Sequence, residues 1–175
     1  MFFPFSGESQ LWMNIPLHSA VEVFGAFAGI MTGVIMLFKR GAKSASQSIF
    51  VSLGLLSMGI LDVSHASISP GSLFVWLHSS AVLSGGLFFA LAWFSADGKL
   101  RRNKSLPWMV TAGSLLFVLY SLSAPETLPA MLTTDGMSSA AITINLLSGS
   151  LFLIAAPLFW RGFRRNGNIG GVVSL

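Results

Sequence analysis

The sequence predicts an all-α, polytopic membrane helix bundle with five transmembrane helices, its N-terminus outside and its C-terminus cytoplasmic. Composition is the first reason: 53% of the 175 residues are hydrophobic and only 9% are charged, against roughly 25% charged in an ordinary soluble domain. Such a chain lacks the polar surface to coat a water-soluble globule. The second reason is that the apolar residues come in long unbroken runs, whereas a membrane β-barrel needs alternation within segments of ~10 residues. The third is that every basic residue falls in one of three segments between or after those runs.

The first run covers residues 17–38, with Pro16 just ahead of it, where a proline suits a helix start, and Lys39 and Arg40 behind it. The second covers 48–67 and is closed by Ser69, Pro70 and Gly71. The third covers 73–94, the fourth 107–123 and the fifth 138–160, with Pro157 near its end as a candidate kink. Five spans of ~20 residues plus their loops use up nearly the whole length as a single transmembrane domain over 1–175, so no soluble catalytic domain fits beside them. The opening MFFPFSGESQ has no basic n-region and no small-residue cleavage signal, and is read as part of the mature chain.

Lys39, Arg40 and Lys43 follow the first span; Lys99, Arg101, Arg102 and Lys104 follow the third; Arg161, Arg164 and Arg165 follow the fifth. Five spans put these three segments on one side, and the positive-inside rule makes that side cytoplasmic. The net charge of +4 is then a topology determinant in contact with anionic lipid, and no nucleic-acid partner is expected. The expected location is a bacterial inner (plasma) membrane. Trp12, Trp93, Trp108 and Trp160 lie near span ends as an aromatic belt. On the outer side lie the N-terminal segment, a tight 69–72 turn and the SAPETLPAMLTTDGM connection at 123–137, a candidate lid or interfacial cap. No internal repeat supports an inverted-repeat transporter.

Only two acids, Glu22 and Asp62, fall inside predicted spans, and each costs at least a few kcal/mol at membrane depth unless paired, protonated or metal-bound. No lysine or arginine is within reach of either. The three histidines, His18, His65 and His78, lie in or at the end of the same three spans. His18 and Glu22 are four residues apart and share a helix face continued by Gly25, Gly29 and Gly33; Asp62 and His65 are three apart, with Met58 and Gly54 further along. Small residues let helices approach closely, so these faces are expected to point into the bundle, and the glycine stripe offers a weak homodimer surface as well. At 1.5 Å rise per residue, His18, Glu22, Asp62, His65 and His78 fall within about 10 Å of one another in depth, in the outer leaflet. Asn145 on the fifth span can reach the same level.

A hydrogen-bond network is one use for such a cluster: His65 with Asp62, His18 with Glu22, and His78 with Ser79 or Ser80. A site for an ion or cofactor is the other, because intramembrane ionisable residues are functional by default and these converge. With Cys 0, disulfides, iron–sulfur clusters and thiolate sites are excluded. Imidazole with carboxylate suits a metal ion such as zinc, copper(II) or iron, and Met58 and Met13 offer sulfur to copper(I). Haem would need two histidines at matched depth, His65 with His18 or His78. No Ser-His-Asp order, phosphate-binding glycine loop or zinc-protease motif occurs, so an enzyme is not the favoured reading.

The runs PLHSAVEVFGAF, GILDVSHASISPG and FVWLHSSA resemble the opening of the membrane-associated sensor domains (MASE type) that precede bacterial histidine kinases and diguanylate cyclases. The resemblance covers about the first half of the chain through short motifs. It implies a His-x-x-x-Glu near the start of the first helix and an Asp-x-x-His at the outer end of the second, matched here by His18, Glu22, Asp62 and His65; His78 is a looser match. It also implies a cytoplasmic kinase or cyclase output domain as partner, whether the chain is an excised input module or a stand-alone relative signalling through another protein. The expected function is a sensory input module that binds a metal ion or metal cofactor near the outer face and relays its occupancy to the cytoplasm by helix displacement. The alternatives are a small membrane oxidoreductase or haem/copper electron carrier, and a metal or proton transporter. Transport is disfavoured because the inner half of every span lacks an ionisable residue.

The orientation has a direct check: a cysteine introduced at Ser69 should react with a membrane-impermeant thiol reagent from the periplasm, and one at Ser44 or Asn103 only from the cytoplasm. The reverse labelling pattern would invert the topology and move the site to the inner leaflet.

Overall fold

The computed structural model describes residues 15–38, 48–94 and 103–166. Its long helices are α1 (Ile15–Phe38), α2 (Ser48–Ala66), α3 (Ser72–Leu91), α4 (Leu106–Ser123) and α5 (Ser139–Asn166). All five are long and apolar enough to cross a membrane, so the protein is a multi-pass, all-helical membrane protein. Helices suit this setting because they satisfy every backbone N–H and C=O internally where no water is at hand.

Two helix ends differ from the expected spans by three residues or more. Helix α3 stops at Leu91 rather than at Phe94, because the N–H groups of Ala92, Trp93 and Phe94 bond back three residues, to Phe89, Ala90 and Leu91, and tighten the chain into a 3₁₀-type turn. Helix α5 runs on past Trp160 to Asn166. Its apolar span ends at Arg161, and the last turn carries Arg164, a cation suited to the negative end of the helix dipole.

Helix α2 is the centre of the bundle: 56% of its span is buried, compared with 11–28% for the other four. It packs against α1, α3 and α4, while α5 packs against α3. Glycine makes the close seams possible. A Cβ on Gly33 of α1 would lie 2.8 Å from the Ser52 carbonyl of α2, and one on Gly59 of α2 would lie 2.6 Å from Ile30 and 2.8 Å from the Ala26 carbonyl of α1. Gly86 of α3 lies equally close to α5, its missing Cβ 3.0 Å from the Ser148 carbonyl. The expected stripe is thereby corrected. Gly25 faces open space, and the α1 seam is built by buried Ala26 and Gly33.

Buried hydroxyls and amides stitch the seams. Ser57 pairs with Ser114 at 3.0 Å between α2 and α4, the Trp76 indole N–H donates to Ser121 at 3.1 Å between α3 and α4, and the Asn145 amide donates to Ser79 at 3.2 Å between α5 and α3. The connection after α4 departs from a purely helical fold. It makes a 3₁₀ turn (Pro125–Thr127) and a two-residue antiparallel hairpin, Leu132–Thr133 against Gly136–Met137, with Gly136 at φ 128°. Fully buried Met131 anchors it: its N–H donates to the Ser72 hydroxyl at 2.7 Å and its carbonyl accepts from Ser138 N–H at 3.0 Å. The connection thus caps the start of α3.

A side chain at Gly59 must push α1 off α2, so Gly59→Leu should lower stability by about 1–3 kcal/mol. Gly25→Leu, pointing into open space, should leave it within about 0.5 kcal/mol of wild type. Thermal melts of the purified variants in one detergent compare them, and equal Tm values would mean that the α1–α2 approach is not glycine-dependent.

Candidate metal centre

The cluster lies at the end of the bundle where α2 turns into α3, opposite the end that carries Lys104, Arg161 and Arg164. His65, on the last turn of α2, is its core and is 1% exposed. Its Nδ1–H donates to the Phe74 carbonyl at 2.9 Å, on the first turn of α3. Its Nε2 lies 3.2 Å from Glu22 Oε2, on α1. Both ring nitrogens therefore face acceptors, but a neutral imidazole has a single donor. With Nδ1–H donating to Phe74, the Nε2–carboxylate contact is bridged either by a proton shared between the two groups or by a metal ion.

Glu22 is shared between two histidines. Its Oε1 lies 3.2 Å from His18 Nε2, one helical turn back on α1, and its Oε2 faces His65. His78, on α3, stands with its ring centroid 4.8 Å from that of His65, and its Nδ1 lies 3.5 Å from Asp62 Oδ1 on α2. That separation leaves no hydrogen bond between them, and Asp62 Oδ1 is buried with no hydrogen-bond partner. One donor atom each from Glu22, His65 and His78 lie within 4.8 Å of one another.

All five residues singled out from the sequence thus meet in one place, but with partners that differ from the expected ones. His65 pairs across helices with Glu22, not with Asp62 on its own helix, because its ring is turned toward α1 and α3. His78 pairs with Asp62 rather than with a neighbouring serine. Asn145 does not join: its amide donates to Ser79 and to the Ala141 carbonyl, about 100° around α3 from His78. Met58 does not join either, because its sulfur packs against Gly85, seven residues and about 10 Å along α3 from His78. Met13 and Trp12 lie outside the described residues. The 123–137 connection is a cap and not a lid over the histidines: it bonds to Ser72 through Met131 and lines a cavity with Leu73 and Trp76, on the face of α3 opposite Phe74 and His78. The sequence carried no signal for the Phe74 carbonyl, since a main-chain acceptor has no residue signature.

At the basic end α3 is tied to α5. The Trp93 indole N–H donates to the Ile154 carbonyl at 2.7 Å, and the Arg161 guanidinium lies 5.5 Å from the Trp93 ring centre, a cation–π contact. Ile154 is three residues before Pro157, where the ring disturbs the helical ladder and leaves backbone carbonyls open to side-chain donors.

No curated protein and no solved structure matches the chain. A family model does: that of MASE3, a membrane-associated sensor domain, matches residues 9–168, which takes in all five helices and the whole histidine–carboxylate cluster. The chain belongs to the MASE3 family of membrane-associated sensor domains, and is a membrane sensory input module.

Proposed function

We propose that this sensor domain binds a metal ion through Glu22, His65 and His78, and that occupancy of the site is the signal it passes on. The observation that carries the reading is the convergence of three donors from three helices within 4.8 Å, centred on a buried imidazole whose Nδ1–H is held by a backbone carbonyl. That arrangement presents Nε2 to an ion, as in most histidine metal sites. A cation also answers the two electrostatic demands of the cluster, the Nε2–carboxylate contact of His65 and the unpartnered oxygen of Asp62. The donor set suits zinc, copper(II) or iron; with Met58 packed on Gly85, the cluster has no sulfur donor for copper(I) among the described residues. Ring centroids 4.8 Å apart leave no room for a porphyrin between His65 and His78, which favours a bare ion over haem.

The same geometry supplies a means of relay. Ligand bonds of about 2.1 Å place donors of a tetrahedral ion about 3.4 Å apart; Glu22 and His65 are already 3.2 Å apart, so binding draws α3, through His78, toward α1 and α2 by on the order of 1 Å, the scale of helix shifts in known switches. Helix α3 conveys that shift to α5 through the Gly86 seam and the Trp93–Ile154 bond, and α5 continues beyond its apolar span with Arg164. The clustering of basic residues at that end makes it cytoplasmic, facing a kinase or cyclase output domain, with the metal site toward the periplasm.

Elemental analysis of protein purified without chelator should find one kind of ion at fixed stoichiometry. His65→Ala and Glu22→Gln should abolish binding while the helices still fold, and Asp62→Asn, acting behind His78, should weaken it about 10–100-fold. Wild-type metal content in all three variants would reduce the cluster to packing. For the relay, a spin-label pair on the basic ends of α3 and α5 should report a distance change on metal addition that Trp93→Phe diminishes; an undiminished change would route the signal elsewhere.

A further inference from the structure

The polar groups around the three donors are already committed, and the way they are committed says what the ion lacks. Behind His65 stands the Phe74 carbonyl on Nδ1. Behind His78 stands Asp62 on Nδ1. Behind Glu22 stands His18, on Oε1, while Oε2 is the oxygen turned to His65. His65 is held by a hydrogen bond and Glu22 by a close contact with His18, the pattern in which outer groups direct the inner ones, while His78 has the Asp62 carboxylate 3.5 Å away. Among the described residues this leaves three protein ligands and no fourth: Asn145 is bonded to Ser79 and Met58 is packed on Gly85. The site is also a groove and not a closed cage, since the His78 side chain is 48% exposed while His65 behind it is buried. Structural metal sites are closed by four protein ligands, whereas sites with three keep a position for an exogenous one.

We infer, resting on the metal reading above, that the bound ion holds at least one coordination position open toward the outside of the bundle, and that a small monodentate Lewis base occupies it as the sensed ligand. Donors of this type, two imidazoles and one carboxylate on one side of the ion, leave the opposite side free, as in non-haem iron(II) sites that bind exogenous molecules. An added ligand there completes the coordination sphere and changes the pull on the helices, so the site answers a ligand on the resident ion as well as the arrival of the ion itself. The ligand reaches the groove either as an anion from the aqueous face or as a neutral molecule from the lipid, and both bind the ion in the same way.

The test uses the full chain in lipid nanodiscs. Loaded with cobalt(II), it is titrated with sodium azide and followed by its visible ligand-field bands; loaded anaerobically with iron(II), it is exposed to nitric oxide and followed by electron paramagnetic resonance. A saturable shift of the cobalt bands, or formation of an iron–nitrosyl signal, is expected, and His65→Ala should abolish both along with metal binding. Response to azide alone identifies an aqueous anion as the ligand class, and response to nitric oxide alone identifies a neutral lipid-borne molecule. Cobalt and iron bound at His65-dependent stoichiometry but indifferent to both reagents would overturn the open position and leave the metal reading intact. Failure of the wild type to bind either ion would overturn both.

Discussion

The close approach of α1 to α2 is the constraint on which the rest of the structure depends. Where Gly33 and Gly59 meet the facing backbone, neither helix has room for a Cβ. In a membrane no hydrophobic force drives such a contact, because lipid tails are as apolar as leucine; packing and interhelical hydrogen bonds must do so. One to two turns from Gly59 the same approach brings Glu22 of α1 to His65 of α2. Separation of the two helices by the width of one side chain would leave a carboxylate in lipid with only exposed His18 beside it.

The bundle handles neutral and ionisable groups in different ways. Its serines and Asn145 are satisfied locally, either by their own helix backbone or in single pairs such as Ser57 with Ser114. Such pairs are worth only ~0.6 kcal/mol on average in membranes and hold helices in register. The ionisable groups are instead gathered at one point, and there the satisfaction is incomplete, since Asp62 keeps an oxygen without a hydrogen-bond partner. A fold that satisfies its other polar groups in pairs while leaving strain at one cluster has the pattern expected where function overrides stability.

Helix α3 links the two ends of the molecule. It contributes Phe74 and His78 to the cluster, Gly85 and Gly86 to its glycine seams, and the loop after it ends in the Trp93 contact with α5. Helix α3 packs against α2 and α5 along its length, with Gly54 of α2 against Phe88 and Phe89 near one end and Asn145 of α5 bonded to Ser79 near the other, so in the proposed relay it is the helix that joins the histidines to α5. The 123–137 connection fastens the opposite face of α3 through Ser72 and Met131, which fixes the start of the helix and leaves the Phe74–His78 face uncovered by it.

Composition and the spacing of apolar runs were enough to determine five membrane helices, because a chain with so few charges has no other way to satisfy its backbone. The five residues of the candidate site were legible as a cluster for a related reason: two acids and three histidines in apolar spans are costly in lipid unless they meet, and counting residues from the span ends placed them at one depth. What the tertiary structure alone decided was who pairs with whom. Helical spacing puts Asp62 beside His65, yet the rotation of α2 within the bundle turns His65 to Glu22 and Phe74 and leaves Asp62 to His78. The exclusion of Asn145 and Met58 and the turning of Gly25 into open space are likewise set by how each of their helices sits against its neighbours. Periodicity along one helix specifies which residues share a face; which neighbour that face meets depends on how close the backbones come, and that is settled by contacts between residues far apart in the chain.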